Sequence, residues 1–298
     1  MRKVIGIDLG GTKISGALLD ENGNILSSAK VDTGAEEGRE VVIGNIVKLI
    51  KKLPYEKARA IGIGTPGFID SDKGIVTFAG NIKGWSGLNL KKEIEKYFDL
   101  PVFIENDANI ALICEQWIGS GKAYDDIVMI TLGTGLGGAV YSQGKLLRGS
   151  NFQGAELGHM ILYPNGNQCT CGQKGCAECY CSGSAIGNEY EKLTGIKKTS
   201  ENILSSIDKD KASKKVLDQF VINLSYYLTS LRNIFDPQVI IIGGGLINAK
   251  DLWWEGMLEN FKKVCHNFET VDILAAKYLN DAGMIGAGKI ALERVNND

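Results

Sequence analysis

The sequence predicts an α/β protein of two domains, and three observations carry that prediction. Apolar runs of strand length alternate with stretches of helical spacing along all 298 residues. The order strand, glycine turn, strand at residues 4–19 returns at residues 127–141, after a short polar connection. A chain of this length with 44% hydrophobic residues can also bury two separate cores.

Val4–Leu9 is an apolar run closed by Gly10 and Gly11; Ile14–Leu19 resumes as a second strand and ends at the turn Glu21–Asn24. Ile25–Asp32 reads as a third strand. Glu36–Leu53 carries Val41, Val42, Ile46, Leu49 and Ile50 at helical spacing before Pro54. Ala58–Ile63 is a buried strand running into Gly64-Thr65-Pro66-Gly67, Gly74–Phe78 is extended, and Leu88–Phe98 reads as an amphipathic helix. Val102–Ile104 then delivers Glu105-Asn106-Asp107-Ala108-Asn109 to the start of a helix ending near Gly119. Gly119–Asp125, short, polar and Gly-rich, is the expected boundary between a domain over 1–118 and one over 119–281. It is also the expected hinge. Beyond it come Ile127–Leu132, the turn Gly133–Gly138, and strands at Ala139–Tyr141 and Lys145–Leu147. Helices follow at 184–194, 203–207 and 209–235, then a strand Val239–Ile242 into Gly243-Gly244-Gly245, a helix over 252–268, a strand at 271–274 and a final helix from about Ala282, expected to pack back on the first domain over 282–298.

Thirty-three basic against 35 acidic residues give a net charge of −2 and no polybasic face, which argues against nucleic acid or a membrane surface as partner. No apolar run reaches membrane-spanning length, and the opening MRKVIGIDLG enters a strand with neither an h-region nor a cleavage site. Seven cysteines in such a chain suit a reducing compartment, so the expected location is the cytoplasm and the expected use of clustered cysteines is metal binding or packing.

Two glycine turns, Asp8-Leu9-Gly10-Gly11-Thr12-Lys13 and Leu132-Gly133-Thr134-Gly135, each expose backbone N–H groups unobstructed by a Cβ and carry a hydroxyl. Two such turns can grip a polyphosphate, with Asp8 serving Mg²⁺ directly or through water. Each alone could equally be a tight hairpin. The Walker A spacing and the protein-kinase motifs are absent. Residues 133–138 match G-x-G-x-x-G, but Ala139–Lys145 reads as strand and turn where a dinucleotide site needs a helix.

His159, Cys169, Cys171 and Cys176 form a Cys3His set in a segment of Gly and turn formers, the donor count and softness that select tetrahedral Zn²⁺. Cys169 and Cys171 lie too close for an easy disulfide. The zinc would be structural, bracing the segment that carries Glu156 and Glu178; the competing reading makes the cysteines small buried apolar residues. With His159 committed to metal and His266 on the polar side of a late helix, the base for any acid–base chemistry must be a carboxylate. Asp107, at a strand end and a helix start, is best placed, and an ordinary capping carboxylate explains it equally well.

The motifs DLGGTK (8–13), GTPG (64–67), ENDAN (105–109), LGTGLGG (132–138), GAELGH (154–159), CTCGQKGCAE (169–178) and IIGGG (241–245) together resemble the ROK family of sugar kinases and repressors, across nearly the whole chain. The resemblance implies the two-domain actin-like ATPase (ribonuclease H-like) fold with a structural zinc loop, closing over ATP and sugar. It implies that Asp8, Gly10, Gly11, Thr12, Lys13, Gly133, Thr134 and Gly135 hold phosphates and Mg²⁺, that Gly243, Gly244 and Gly245 lie along the adenosine, and that Asp107 is the general base. Gly67, Asn81, Asn106, Asp107, Glu156, His159 and Glu178 would contact the sugar. The implied reaction is ATP-dependent phosphorylation of a hexose at the 6-hydroxyl. The segment around Asn81 resembles the glucokinase form, with N-acetylmannosamine or N-acetylglucosamine as alternative acceptors and a non-catalytic sugar-binding regulator as the alternative of another class. A homodimer or homotetramer is implied too. Repressor members carry a helix-turn-helix ahead of the core, whereas here the core starts at residue 3. Cys179 and Cys181 depart from the usual pattern and add alternative zinc ligands or packing residues.

Overall fold

The computed structural model describes residues 2–80, 82–265 and 271–295. The chain forms two compact units, one from the residues up to Ala123 with Arg148–Gly154 and those from Lys277 on, the other from Tyr124–Leu147 with Ala155–Ala276.

The first unit opens with β1 (Lys3–Leu9), β2 (Lys13–Asp20) and β3 (Ile25–Asp32), joined antiparallel, followed by α1 (Arg39–Lys51). After β4 (Ile61–Thr65) come β5 (Phe68–Asp70), β6 (Ile75–Phe78) and β7 (Leu88–Asn89), which form their own small sheet. The chain goes on to α2 (Leu90–Glu95), β8 (Val102–Asn106) and α3 (Asp107–Ile118). The main sheet runs β3-β2-β1-β4-β8, with β1, β4 and β8 parallel. Its parallel strands are buried on both faces, which is why they read as unbroken apolar runs. β3 lies at the edge and alternates half-buried with exposed residues.

The C-terminal helix, Ala282–Arg294, covers this sheet at unusually close range. A Cβ on Gly6 of β1 would lie 1.9 Å from the Met284 carbonyl oxygen, and one on Gly62 of β4 would lie 1.9 Å from that of Ala287. Those strand glycines exist so that a helix backbone can lie directly on a strand backbone. Gly62→Ala should therefore lower the unfolding free energy by about 3 kcal/mol or more, since neither backbone can yield without moving the whole helix. An unshifted denaturation midpoint in urea would refute this account of the packing.

The second unit repeats the plan. β9 (Ile127–Leu132), β10 (Leu136–Ser142) and β11 (Lys145–Leu146) are antiparallel, and after α4 (Gly183–Thr194), α5 (Ser200–Leu204) and α6 (Lys211–Phe235) the chain adds β12 (Val239–Gly243), α7 (Trp254–Val264) and β13 (Asp272–Ala275). The order β11-β10-β9-β12-β13, with β9, β12 and β13 parallel, matches that of the first unit. The repeat read in the sequence is thus a repeat of fold.

Several expected elements need adjustment: the helix expected at 203–207 lies at Ser200–Leu204, where the Thr199 side chain accepts the Asn202 N–H, and β10 begins at Leu136, inside the expected turn Gly133–Gly138. Gly38, at φ 96, breaks the expected 36–53 helix into a short 3-10 turn and α1. The stretch expected to be a helix from Leu88 begins as β7, because Leu88 pairs with Val76, and the helix starts only where the Asn89 side chain accepts from the Lys92 N–H. The helix expected over 252–268 begins at Trp254, preceded by a 3-10 run at Gly245–Leu252, and ends at Val264 with Cys265 as its cap, while residues 266–268, His266 included, lie outside the described residues. β5, only three residues long, was not expected at all.

Candidate active site

In the first unit the site begins at the end of β1. The turn after Asp8 is closed by the Gly10 N–H donating to the Lys13 carbonyl at 3.0 Å, and it is braced from behind by Thr33, whose hydroxyl donates to the Gly10 carbonyl at 2.7 Å and whose N–H donates to the Thr12 carbonyl at 2.9 Å. Gly11, Thr12 and Lys13 stay exposed. A rigid turn with an open face is what anion binding by backbone N–H groups requires. Burial, reinforced by the charge of Asp107 and opposed by Lys30 on β3, pushes the Asp8 carboxyl up to about 6. Two carboxylates repelling each other in a desolvated place fit a divalent cation, which would let both stay ionised.

Asp107 is the first residue of α3, but it is not the cap. That role belongs to Asn106, whose side-chain oxygen accepts from the N–H groups of Ala108 at 2.9 Å and Asn109 at 3.2 Å. Asp107 Oδ1 accepts only the Ala108 N–H among the hydrogen bonds of 2.9 Å or shorter at this helix start. The capping explanation of Asp107 therefore fails, and its carboxylate is at hand for other work. Its side chain reaches solvent, yet desolvation by the protein around it raises the carboxyl above the ordinary range, against the lowering effect of the Ala108 N–H. The Asn106 amide also donates to the Gly67 carbonyl at 3.1 Å, which joins two of the expected sugar-contact residues, with Gly67 itself at φ 105. Asn81 lies outside the described residues.

In the second unit, Gly133 and Thr134 are gripped from below. The N–H groups of Gly183 and Ser184, in the first turn of α4 capped by Ser182, donate to their carbonyls at 2.8 and 3.1 Å. The turn shares a cavity of about 1070 Å³ with Gly245, Leu246 and Asp251, roomy enough for a nucleoside. Glu178 Oε2 accepts the Leu136 N–H at 2.9 Å, and a Cβ on Gly135 would lie 2.4 Å from that oxygen. Gly135 thus has a packing reason to be glycine, independent of the phosphate contact expected of it.

Glu156, exposed, begins the short 3-10 turn Leu157–His159, and its carbonyl accepts the His159 N–H at 3.0 Å. His159, Cys169, Cys171 and Cys176 converge so that their donor atoms all lie within 4.8 Å of one another. His159 Nδ1 is 3.7 Å from Cys169 Sγ, and the sulfurs of Cys171 and Cys176 are 3.6 Å apart. Thiolates bound to one tetrahedral zinc stand about 3.8 Å apart, whereas a disulfide would need roughly 2 Å. The donors fit zinc, and all seven cysteines are free thiols. Cys181 is fully buried in the core of the second unit, and Cys179 Sγ faces the Gln168 carbonyl at 3.6 Å.

Several supporting residues escape sequence reading. Thr33 and Arg148 sit in loops with no motif around them. Glu115, fully buried, accepts the N–H groups of Ser120, Lys277 and Tyr278 at 2.8–2.9 Å, a partnership 162 residues apart that no local pattern announces. Ser182, by contrast, could have been found as a helix cap.

The ROK family pattern matches residues 4–294. The chain belongs to the ROK family. The glucokinase of Thermotoga maritima is 37% identical to this ROK chain over 98% of both proteins. The crystal structure of a ROK hexokinase from Thermus thermophilus superposes with a TM-score of 0.90 at 32% identity, covering 99% of this chain and 100% of that one. A ROK glucokinase from Streptomyces griseus, solved in complex with glucose and AMPPNP, has a TM-score of 0.85 at 32% identity, covering 98% and 99%. The fold of this ROK protein is the actin-like ATPase fold of those sugar kinases, as expected. Among its described residues, no helix is long and apolar enough to cross a membrane.

Proposed function

We propose that this chain is an ATP-dependent hexose kinase whose acceptor is glucose, phosphorylated at the 6-hydroxyl. The observation that carries the reading is Asp107: a carboxylate at the start of α3, relieved of capping by Asn106 and raised in pKa by its surroundings. A carboxylate so placed is suited to take the proton of a hydroxyl brought within hydrogen-bond reach. Relatives at 32–37% identity over nearly the whole chain are glucokinases, which supports glucose.

In this reading Asp107 takes the proton of the sugar hydroxyl while that oxygen forms its bond to the γ-phosphorus and the bond from phosphorus to the bridging oxygen of ADP breaks. Gly10, Gly11, Thr12, Lys13, Gly133, Thr134 and Gly135 would bind phosphates through their turns, and Gly243, Gly244 and Gly245 would border the adenosine. Gly67, Asn81, Asn106, Glu156, His159 and Glu178 orient the sugar. Asp8 would hold Mg²⁺, which neutralises charge on the phosphates when bound. His159 Nδ1 and the three cysteines would hold a structural Zn²⁺, which lends the loop its rigidity and takes no part in the chemistry.

Purified protein should release ADP from MgATP only when sugar is present, fastest with glucose in a panel that includes mannose, N-acetylglucosamine and N-acetylmannosamine. An N-acetylhexosamine leading the panel would reassign the acceptor. No sugar-dependent ADP release at all would end the kinase reading.

A further inference from the structure

Glu105, one residue before the cap of α3, is 2% exposed and both its oxygens are engaged. Oε1 accepts from the Asn106 N–H at 3.1 Å and from the Asn109 amide at 3.0 Å. Oε2 faces Arg148, with Nε and a terminal nitrogen each at 2.8 Å. Arg148 opens a seven-residue excursion, Arg148–Gly154, that leaves the sequence span of the second unit to join the first. The Gly154 N–H donates back to the Arg148 carbonyl at 2.9 Å and closes the loop. Within and just beyond it, Phe152 and Ala155 hold left-handed backbone at φ 55 and 62, a conformation that side-chain-bearing residues keep only when their surroundings enforce it. Glu156 follows immediately.

We propose that Arg148 is a positioning residue for the phosphoryl-transfer reaction, acting at two places through Glu105. On one side the pair neutralises the buried carboxylate that organises the junction from which Asp107 projects. On the other it anchors the strained loop that delivers Glu156. The proposal rests on the kinase reading above for its rate predictions, though not for its structural ones. Two nitrogens of one planar guanidinium converge on the single oxygen Oε2, which makes the role specific to arginine, since the lysine ammonium offers no such pair of fixed donors.

Two consequences separate under mutation. Arg148→Met leaves Glu105 buried without its cation and releases the loop, so kcat should fall about 10²-fold and hexose KM should rise about tenfold, with the KM for MgATP little changed. Arg148→Lys should fall between. The double variant Glu105→Gln/Arg148→Met removes the stranded charge while keeping the shape of the junction. It should recover most of kcat but not the hexose KM, because the loop remains unanchored. Amide hydrogen exchange reports both sites without any turnover: Arg148→Met should speed exchange at residues 105–110 and 149–157, and the double variant should restore protection only at 105–110. An equal rise in both KM values with a lowered melting temperature would mean a merely structural role and overturn the proposal. So would exchange unchanged at either segment, or a double variant no faster than the single. If the wild type shows no kinase activity, the exchange pattern alone decides.

Discussion

Asp107→Asn should fold normally, match the wild type in metal content and ATP binding, and lose about 10²–10⁴-fold in kcat, roughly 3–5 kcal/mol of barrier. The substitution keeps the size of the side chain and its hydrogen bond from Ala108 while removing basicity. The helix does not suffer, because Asn106 and not Asp107 caps it. Hexose KM should change little, since the lost contribution is made in transfer and not in binding. The same residue sets the pH dependence. Its folded-state pKa is raised by desolvation, and the ionised form is the active one, so kcat/KM should rise with pH through an acid limb placed above the ordinary carboxylate value of about 3.9. Asp107→Asn should abolish that limb. Near-normal turnover in the variant would remove Asp107 from the mechanism, and a wild-type acid limb at ordinary carboxylate pH would refute the raised pKa.

Cys176→Ser should lose the zinc and raise hexose KM about 10–100-fold while leaving MgATP affinity largely intact. Cys176 is fully buried, so the loop has no water to replace the missing thiolate. The effect is directed at the sugar for a structural reason. His159 belongs to the metal set, its N–H is bonded to the Glu156 carbonyl, and Glu178 lies two residues from Cys176 with its Oε1 4.0 Å from Cys169 Sγ. The cavity that would take the nucleotide, by contrast, is lined by Gly133, Thr134, α4, α5 and the segment after β12, and none of the four Cys3His residues lines it. Metal analysis of protein purified without chelator should find one zinc per chain. No zinc in fully active protein would defeat the brace, and zinc retained in Cys176→Ser would point to Cys179, whose sulfur borders the same loop.

Much of this protein follows from its sequence alone. The repeated strand–turn–strand units, the parallel strands and the positions of the glycine turns are set by local patterns: apolar runs fully buried in a sheet, and glycines where no side chain fits. The Cys3His set was legible because metal ligands cluster in sequence when one loop supplies them all. The tertiary structure alone decided what depends on distant chain segments. It settled that Asn106 relieves Asp107 of capping, a matter of side-chain geometry between two adjacent residues that could each have served. It showed that Gly6 and Gly62 are small because a helix more than two hundred residues later rests on them. It also paired Glu105 with Arg148, 43 residues apart, and Glu115 with the backbone at 277 and 278. Buried ions must find partners wherever the fold supplies them, and no short-range pattern records which partner that will be.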